Sequence, residues 1–386
     1  MQPDFRITAN GAAFSEEVRR RIKSIEVRDN AGYENDSLSI VLEGGTKPHI
    51  RLPAPRTLFE LELGYQKKEN MEQPYPMIFV GSFVSDEVEV EKSKYSGTEV
   101  TFLGHSVDSG ASIKEPRSEE YENLSVGDII RTAATRHGYE TAIAGEFNSV
   151  IVRHLSQNTM SDISMIQSLA MKHGANVKVW DNTFYVARPG STFKNMNDII
   201  RENDCISYHW LSQGRGIHKA VKARWLDKDA GKLVSVIEAT STPEAVATCE
   251  LIKTYPDEAT ARAAARAQVS DLDKGRDTFT FKTIGNPTIM SETLVQTEGY
   301  GFYEEMPSLW SVVCVTHNWS KASGYTTEAY CELPGSVKKK SRKTVAGGTV
   351  AFGDEEDDDT AAGGDGSDNL PDFNEPPDGS PNPLLP

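Results

Sequence analysis

The sequence predicts an α+β fold in which strands predominate: two β-barrel-like domains, a small helix–hairpin domain between them, and a disordered C-terminal tail. Three observations predict it. Segments with period-two alternation of apolar and polar residues recur before residue 115 and again after residue 201. Two segments with helical periodicity, each followed by a glycine, sit between them. Beyond Pro334 the composition shifts to a basic run and then an acidic one, with almost no aliphatic residues. The expected divisions are 1–115, 116–200, 201–336 and 337–386.

In the first region, Ile22–Arg28 and Ser37–Leu42 read as strands joined by a Gly/Asn/Asp-rich turn. Phe59–Tyr65 alternates strictly, which puts one face in a core and the other in water. Ile78–Phe83, Val84–Val90 and Thr98–Val107 continue the pattern. On the polar faces stand Glu60, Glu62, Glu87, Glu89 and Glu91. Paired acids can serve glycoside hydrolysis, but exposed strand positions carry such charges routinely, and the solvated-face reading is preferred.

The central region opens with a capping box at Ser125-x-x-Asp128, where the hydroxyl and the acid meet orphan backbone donors. Val126, Ile129, Ile130, Ala133, Ala134 and His137 form one face, closed by Gly138. A second box is read at Thr159-Met160-Ser161-Asp162. Ile163, Ile166, Leu169, Ala170 and His173 follow, closed by Gly174. Asp181-Asn182 then suits a tight turn between Val177, Val179 and Phe184, Val186. Neither helix shows polar residues converging within its apolar face.

In the third region, strands are expected at Cys205–Trp210, Ala220–Trp225 and Leu233–Ile237, with Ser212–Gly216 as a glycine-rich hairpin loop. A helix capped by Thr254-x-x-Asp257 runs over Ala259–Leu272. Ala259, Ala263 and Ala267 are its expected packing face. Strands at Thr278–Thr283, Thr293–Gln296, Trp310–Trp319 and Tyr325–Leu333 complete the set.

The formal charge is −16. The tail from Asp354 contributes −11 and Lys338, Lys339, Lys340, Arg342 and Lys343 contribute +5, leaving −10 for the body. An acidic body argues against a nucleic-acid binder held by phosphate contacts. The longest near-apolar run, Leu309–Val315, is far too short for a bilayer span, and neither a signal peptide nor membrane insertion is expected. The 4 cysteines lie far apart, so buried free thiols in a reducing compartment are expected rather than a zinc site or a disulfide framework. The 8 histidines read as isolated. No nucleophile elbow, His-Glu-x-x-His or dinucleotide fingerprint occurs. No catalytic, cofactor-binding or metal-binding residue is expected. The basic run Lys338–Lys343 is the candidate partner contact, as part of a tether that orders on a partner.

At this point the chain resembles a known family: the phage late-control D proteins, the baseplate hubs of contractile tails, similar also to the N-terminal hub part of type VI secretion VgrG spikes. The resemblance is carried by Ile25–Leu42 (IEVRDNAGYENDSLSIVL), Thr57–Tyr65 (TLFELELGY), Phe79–Val90 (FVGSFVSDEVEV), Val100–Val107, Ser125–Gly138 and Gln157–Val179. Further on it is carried by Ala220–Leu226 (AVKARWL), the helix over 259–275, and Trp310–Leu333 with its HNWSKASGYTTEAYCEL run. These stretches follow the family's order over roughly residues 15–335.

The resemblance implies a non-enzymatic virion protein of the tail baseplate, assembled in the bacterial host cytoplasm. It implies a homotrimer whose tail-tube-like domains form a pseudo-six-fold ring between the hexameric tail tube and the trimeric central spike protein. Other baseplate proteins would surround it. DNA would pass through the lumen without specific binding. A fused spike domain and a lysozyme-like domain, present in some relatives, are not seen. Whether the particle is an infectious phage or a headless injection device stays open. The alternatives from other classes are a cell-wall (peptidoglycan) hydrolase using strand-borne carboxylates and a glycan-binding tail component.

Overall fold

The computed structural model describes residues 2–334, apart from residue 33 and the segments 46–51, 67–74, 95–96, 107–111, 189–196, 214–217, 228–229, 241–244, 275 and 302–305. The candidate partner contact at Lys338, Lys339, Lys340, Arg342 and Lys343, the acidic tail and most of the glycine-rich 212–216 loop lie outside the described residues.

The chain begins with β1 (Pro3–Ala9) and the two-residue β2 (Ala12–Ala13), then α1 (Glu16–Arg21), capped by the Ser15 hydroxyl. None of the three carries a clear sequence signal, because Phe5 and Ile7 alternate over too few residues to stand out. β3 (Ile22–Asn30), β4 (Ser37–Gly44), β5 (Leu58–Tyr65), β6 (Ile78–Ser93) and β7 (Gly97–His105) follow. The two segments expected between Ile78 and Val90 are a single strand. Its ladder register shifts opposite Leu61/Glu62 and again between Ser85 and Glu87. Each bulge inserts one residue, swaps the faces and bends the strand, so its alternation looked broken.

In the central region, β8 (Pro116–Ser125) precedes α2 (Val126–Thr135), and β9 (Glu140–Ile143) and β10 (Ile151–Ser161) precede α3 (Asp162–Lys172). The hairpin β11 (Asn176–Trp180) and β12 (Thr183–Ala187) closes the unit. Its turn residues Asp181 and Asn182 both take positive φ (47° and 57°), the geometry that matches strand twist. Ser125 caps α2, accepting from the Asp128 amide at 3.0 Å. The cap of α3 is Ser161, which accepts from Ser164, and not Thr159. Thr159 lies in an irregular stretch of β10 at φ 51°. The antiparallel β8–β10 ribbon was unread, since its Glu- and Ser-rich strands bury only an occasional side chain.

The last region holds β13 (Asn197–Arg201), β14 (Cys205–Ser212), β15 (Ala220–Asp227), β16 (Lys232–Ala239) and β17 (Thr248–Tyr255). After them come α4 (Glu258–Lys274), β18 (Asp277–Ile284), β19 (Leu294–Glu298), β20 (Leu309–Ser320) and β21 (Gly324–Glu332). Thr254 lies within β17, and Asp257 caps α4 by accepting from the Thr260 amide at 2.8 Å. The packing face of α4 is Ala261, Ala265 and Val269, offset from the expected Ala259, Ala263 and Ala267. Alanine lies on every side of this helix, so Val269 and Leu272, the larger apolar groups, decide which side is buried. They pack on the separate β16–β15–β17 sheet.

The large sheet runs β14–β18–β21–β20–β3–β4–β7–β6–β5–β1–β2 in hydrogen-bonded order, with β19 and β13 branching from β20. Residues from the two ends of the sequence are therefore neighbours: β20 pairs antiparallel with β3 from Cys314↔Asn30 to Ser320↔Ser24. The sheet curls into two barrel-like parts, and the fold is α+β and mostly β. One core gathers Ile25, Ile40, Phe59, Leu61, Phe83 and Phe102 with Trp319 and Tyr325 from the far end of the chain. The other is built on Phe279, Phe281, Trp310, Val312 and Val315. Among the described residues, no helix is long and apolar enough to cross a membrane.

Candidate functional site: a hydroxyl-rich sheet face over a buried charge junction

Because strand residues alternate between faces, every strand that buries a core row presents the intervening row to solvent. The pairing registers align these outer residues across the seam between the two barrel-like parts. One row reads Thr326, Asn318, Glu26, Ser39, Leu103, Glu87 across β21, β20, β3, β4, β7 and β6. The next reads Ser207, Lys282, Glu328, Thr316, Arg28, Ser37, His105 from β14 to β7. A third reads Ser320, Ser24, Val41, Thr101, Glu89. Toward the β6 end, Glu43, Glu99 and Glu91 stand side by side, with Lys23 on Glu99. Lys282 lies 3.6 Å from Glu328. The face is thus small hydroxyls with an excess of carboxylates. Lys23 and Lys282 each sit on a carboxylate, so the excess of carboxylates over the cations Lys23, Arg28 and Lys282 disfavours a polyanion by like charge.

The strand carboxylates singled out in the sequence belong to solvated faces. Glu60 accepts from the Thr8 hydroxyl at 2.6 Å and Glu62 from Arg6 at 3.2 Å. Glu87, Glu89 and Glu91 are exposed along β6. They occupy successive positions of open ladders and do not converge as an acid pair in a pocket would.

Behind the face lies a cluster that sequence reasoning missed. Lys178, on β11, is buried, and its ammonium meets Asp29 Oδ1 at 2.5 Å, both carboxylate oxygens of Asp36 at 3.1 Å and the Asn30 carbonyl at 3.0 Å. Asp29 also accepts from the Ser291 amide and hydroxyl, each at 2.7 Å. Asp36 accepts from the Asn30 amide at 2.9 Å. Next to it, Glu292 accepts from Asn176 at 2.5 Å and from the Gly32 amide at 3.1 Å. Three parts of the sequence meet here: the β3–β4 turn, the β11–β12 hairpin and the loop before β19. Burial pushes Asp29 up, but the Lys178 charge and the hydrogen bonds from Lys178 and Ser291 outweigh it and hold Asp29 below the usual carboxylate range. Burial pushes Asp36 up to about 7, against the pull of Lys178 and with the push of Asp29. Burial disfavours the Lys178 charge, yet the two carboxylates more than compensate and raise its pKa.

His317, on β20 beside this cluster, is fully enclosed. Its Nε2–H donates to the Ile289 carbonyl at 3.2 Å and its Nδ1 accepts from the Tyr325 hydroxyl at 2.9 Å. Burial holds the imidazole down at about 4.

His137 is not isolated, contrary to the sequence reading. Its Nδ1 lies 2.7 Å from the Ser112 hydroxyl and its Nε2 2.8 Å from Asp162 Oδ2. Asp162 also accepts from Arg136 at 2.9 Å and Gln157 at 2.8 Å. Burial raises the Asp162 carboxyl, and the bonds from Gln157, His137 and Arg136 outweigh it and leave it below the usual value. Polar groups therefore do converge between the helices. The arrangement fastens the C-terminus of α2 to the first turn of α3, with the Asp162 charge met by Arg136. Asp162 was read as the acid of a cap; the true cap at Ser161 frees its side chain for this network.

No family model matches the sequence. Two curated proteins do, over most of their length. A probable baseplate hub protein of Escherichia phage 186 is 24% identical, covering 86% of this chain and 93% of that protein. A probable baseplate hub protein of Escherichia phage P2 is 23% identical, covering 86% and 94%. Among solved structures, the 43 kDa tail protein of prophage MuSo2 from Shewanella oneidensis superposes with a TM-score of 0.64 at 11% identity, over 86% of this chain and 99% of that one. A tail protein from Neisseria meningitidis MC58 gives 0.63 at 11% identity, over 86% and 97%. An E. coli type VI secretion component, described as structurally similar to T4 tail proteins, gives 0.51 at 9% identity, over 87% and 78%. The chain is thus similar in sequence to phage baseplate hub proteins over most of its length, and similar in fold to phage tail proteins.

Proposed function

We propose that the chain is the structural hub of a contractile phage tail, or of a phage-derived injection device. In this reading three copies form a symmetry adapter between a hexameric tail tube and a trimeric central spike, and enclose part of the ejection channel. The observation that supports it most is the unbroken sheet through the β3–β20 seam. It gives each chain two barrel-like parts and one continuous acidic, hydroxyl-rich face, so three chains supply six parts and a wall that DNA slides past without sticking. The protein works by shape and symmetry, without catalysis, as part of the virion baseplate.

The divisions 1–115, 116–200, 201–336 and 337–386 are kept as the proposed domains. The basic run Lys338–Lys343 is the proposed contact for a further baseplate partner. The test is the solution mass by light scattering, alone and after co-expression with the neighbouring spike protein. A trimer in either sample is expected. A monomer in both, with no co-purification, would overturn the reading.

A further inference from the structure

The β16–β15–β17 sheet has α4 on one face and, among the described residues, an open other face. Pairing registers put Leu226 against Leu233 and Lys222 against Ile237 on the open side. Leu233 and Ile237 are 59% and 62% exposed, Leu226 is also exposed, and Ile252, at the bulge of β17, stands wholly in solvent. So many exposed aliphatic residues on one small sheet mark an interaction surface. The charge around them is unlike that of the body. Lys222, Arg224, Lys232 and Lys253 outnumber Asp227 and Glu250, and Glu250 already pairs with Lys222 and Arg224. The fitting partner is therefore an acidic surface.

The topology says where such a surface lies. Residues 220–274 are inserted between β14 and β18, the strands at one end of the large sheet. Its opposite end, β6–β5–β1, carries Glu60, Glu62, Glu87, Glu89 and Glu91. A ring of identical chains joins them head to tail, so that unlike ends meet. We infer that the open face of the β16–β15–β17 sheet docks on the acidic β5–β6 end of the next copy of this chain. The inference rests on the ring-forming hub reading and names the contact within it.

The test uses the full-length chain, with the spike protein present if trimerisation needs it. Leu233→Glu with Ile237→Glu changes only exposed positions, and circular dichroism and thermal melting check that folding is retained. This pair should weaken the trimer at least ten-fold or leave monomers, because it sets acid against acid. Leu233→Lys with Ile237→Lys should remain trimeric. Adding Glu87→Lys and Glu89→Lys to the double-Glu chain should restore assembly. A double-Glu chain that trimerises like the wild type removes this face from the interface and leaves the hub reading standing. Equal loss with Glu and with Lys, without rescue, assigns the face to another occupant. A wild-type chain that is monomeric with and without the spike sinks both proposals.

Discussion

Lys178 Nζ lies 2.5 Å from Asp29 Oδ1, joining residues 149 positions apart in a site nearly closed to water. The contact ties the central hairpin to the end of β3, and Ser291 brings in the loop before β19 through the same carboxylate. Lys178→Met should destabilise the protein by about 3–5 kcal/mol, because it leaves two buried carboxylates without their counter-charge. Adding Asp29→Asn and Asp36→Asn should recover much of that loss. Denaturant unfolding measures both. A single variant as stable as the wild type would mean that water or a rearranged backbone solvates the acids.

His317 sets a pH dependence that one variant isolates. Its folded pKa, held at about 4, lies below the unfolded value of 6.5. Its contribution is therefore complete above pH 6.5 and is lost as pH falls through 4. Asp36 runs the other way: its folded value of about 7 exceeds 3.8, so its contribution is complete below 3.8 and is lost as pH rises through 7. The two slopes oppose each other in the wild type. His317→Asn removes only the first. The stability gap between wild type and variant should narrow by about 2–3 kcal/mol from pH 7 to pH 4. Parallel stability curves would mean that His317 titrates normally.

The barrel-like parts were legible in the sequence because Phe59–Tyr65 and Trp310–Trp319 keep period two over enough residues to define a buried face. The Asp181-Asn182 turn and the glycines after α2 and α3 were legible because local backbone geometry demands them. Long-range assembly was not legible. Lys178 sits between Val177 and Val179, where alternation assigns it to water, and only the return of β3 and the 291 loop from distant sequence encloses it. Asp29 and Asp36 looked like turn residues for the same reason. The outer face was present as scattered Ser, Thr and Glu at alternate positions. Its continuity depends on the β3–β20 pairing, which no local pattern encodes.

Gly285 is a close-approach position. A Cβ there would fall 2.0 Å from the Tyr325 ring, which is buried in the first core and hydrogen-bonded to His317. Neither ring nor backbone has room to yield. Gly285→Ala should cost about 1–3 kcal/mol or more by overpacking and should lower the melting temperature. Gly145→Ala, which meets open space, is the matched control. Equal melting of the two variants would show that Tyr325 has an alternative rotamer.

Deleting residues 337–386 removes the tail's 11 acidic residues and the run Lys338–Lys343. If that run is a partner contact, the truncated chain should melt as the full chain does, while incorporating less well into baseplates. Co-purification with tail proteins, compared between the two chains, measures it. Unchanged incorporation would end the tether idea.

Reversing charge on the outer face tests the channel directly. Glu26, Glu43 and Glu328 belong to different rows of that face, on β3, β4 and β21. None is part of a core, so Glu26→Lys, Glu43→Lys and Glu328→Lys together should leave the fold and its melting temperature nearly unchanged. If the face lines the ejection path, each new ammonium gives passing DNA phosphates an attractive stop where the wild type repels them. Particles carrying the triple variant should assemble, contract and then eject slowly or stall, and added salt should relieve the defect by screening. Ejection at the wild-type rate at low salt would place the channel wall elsewhere in the molecule.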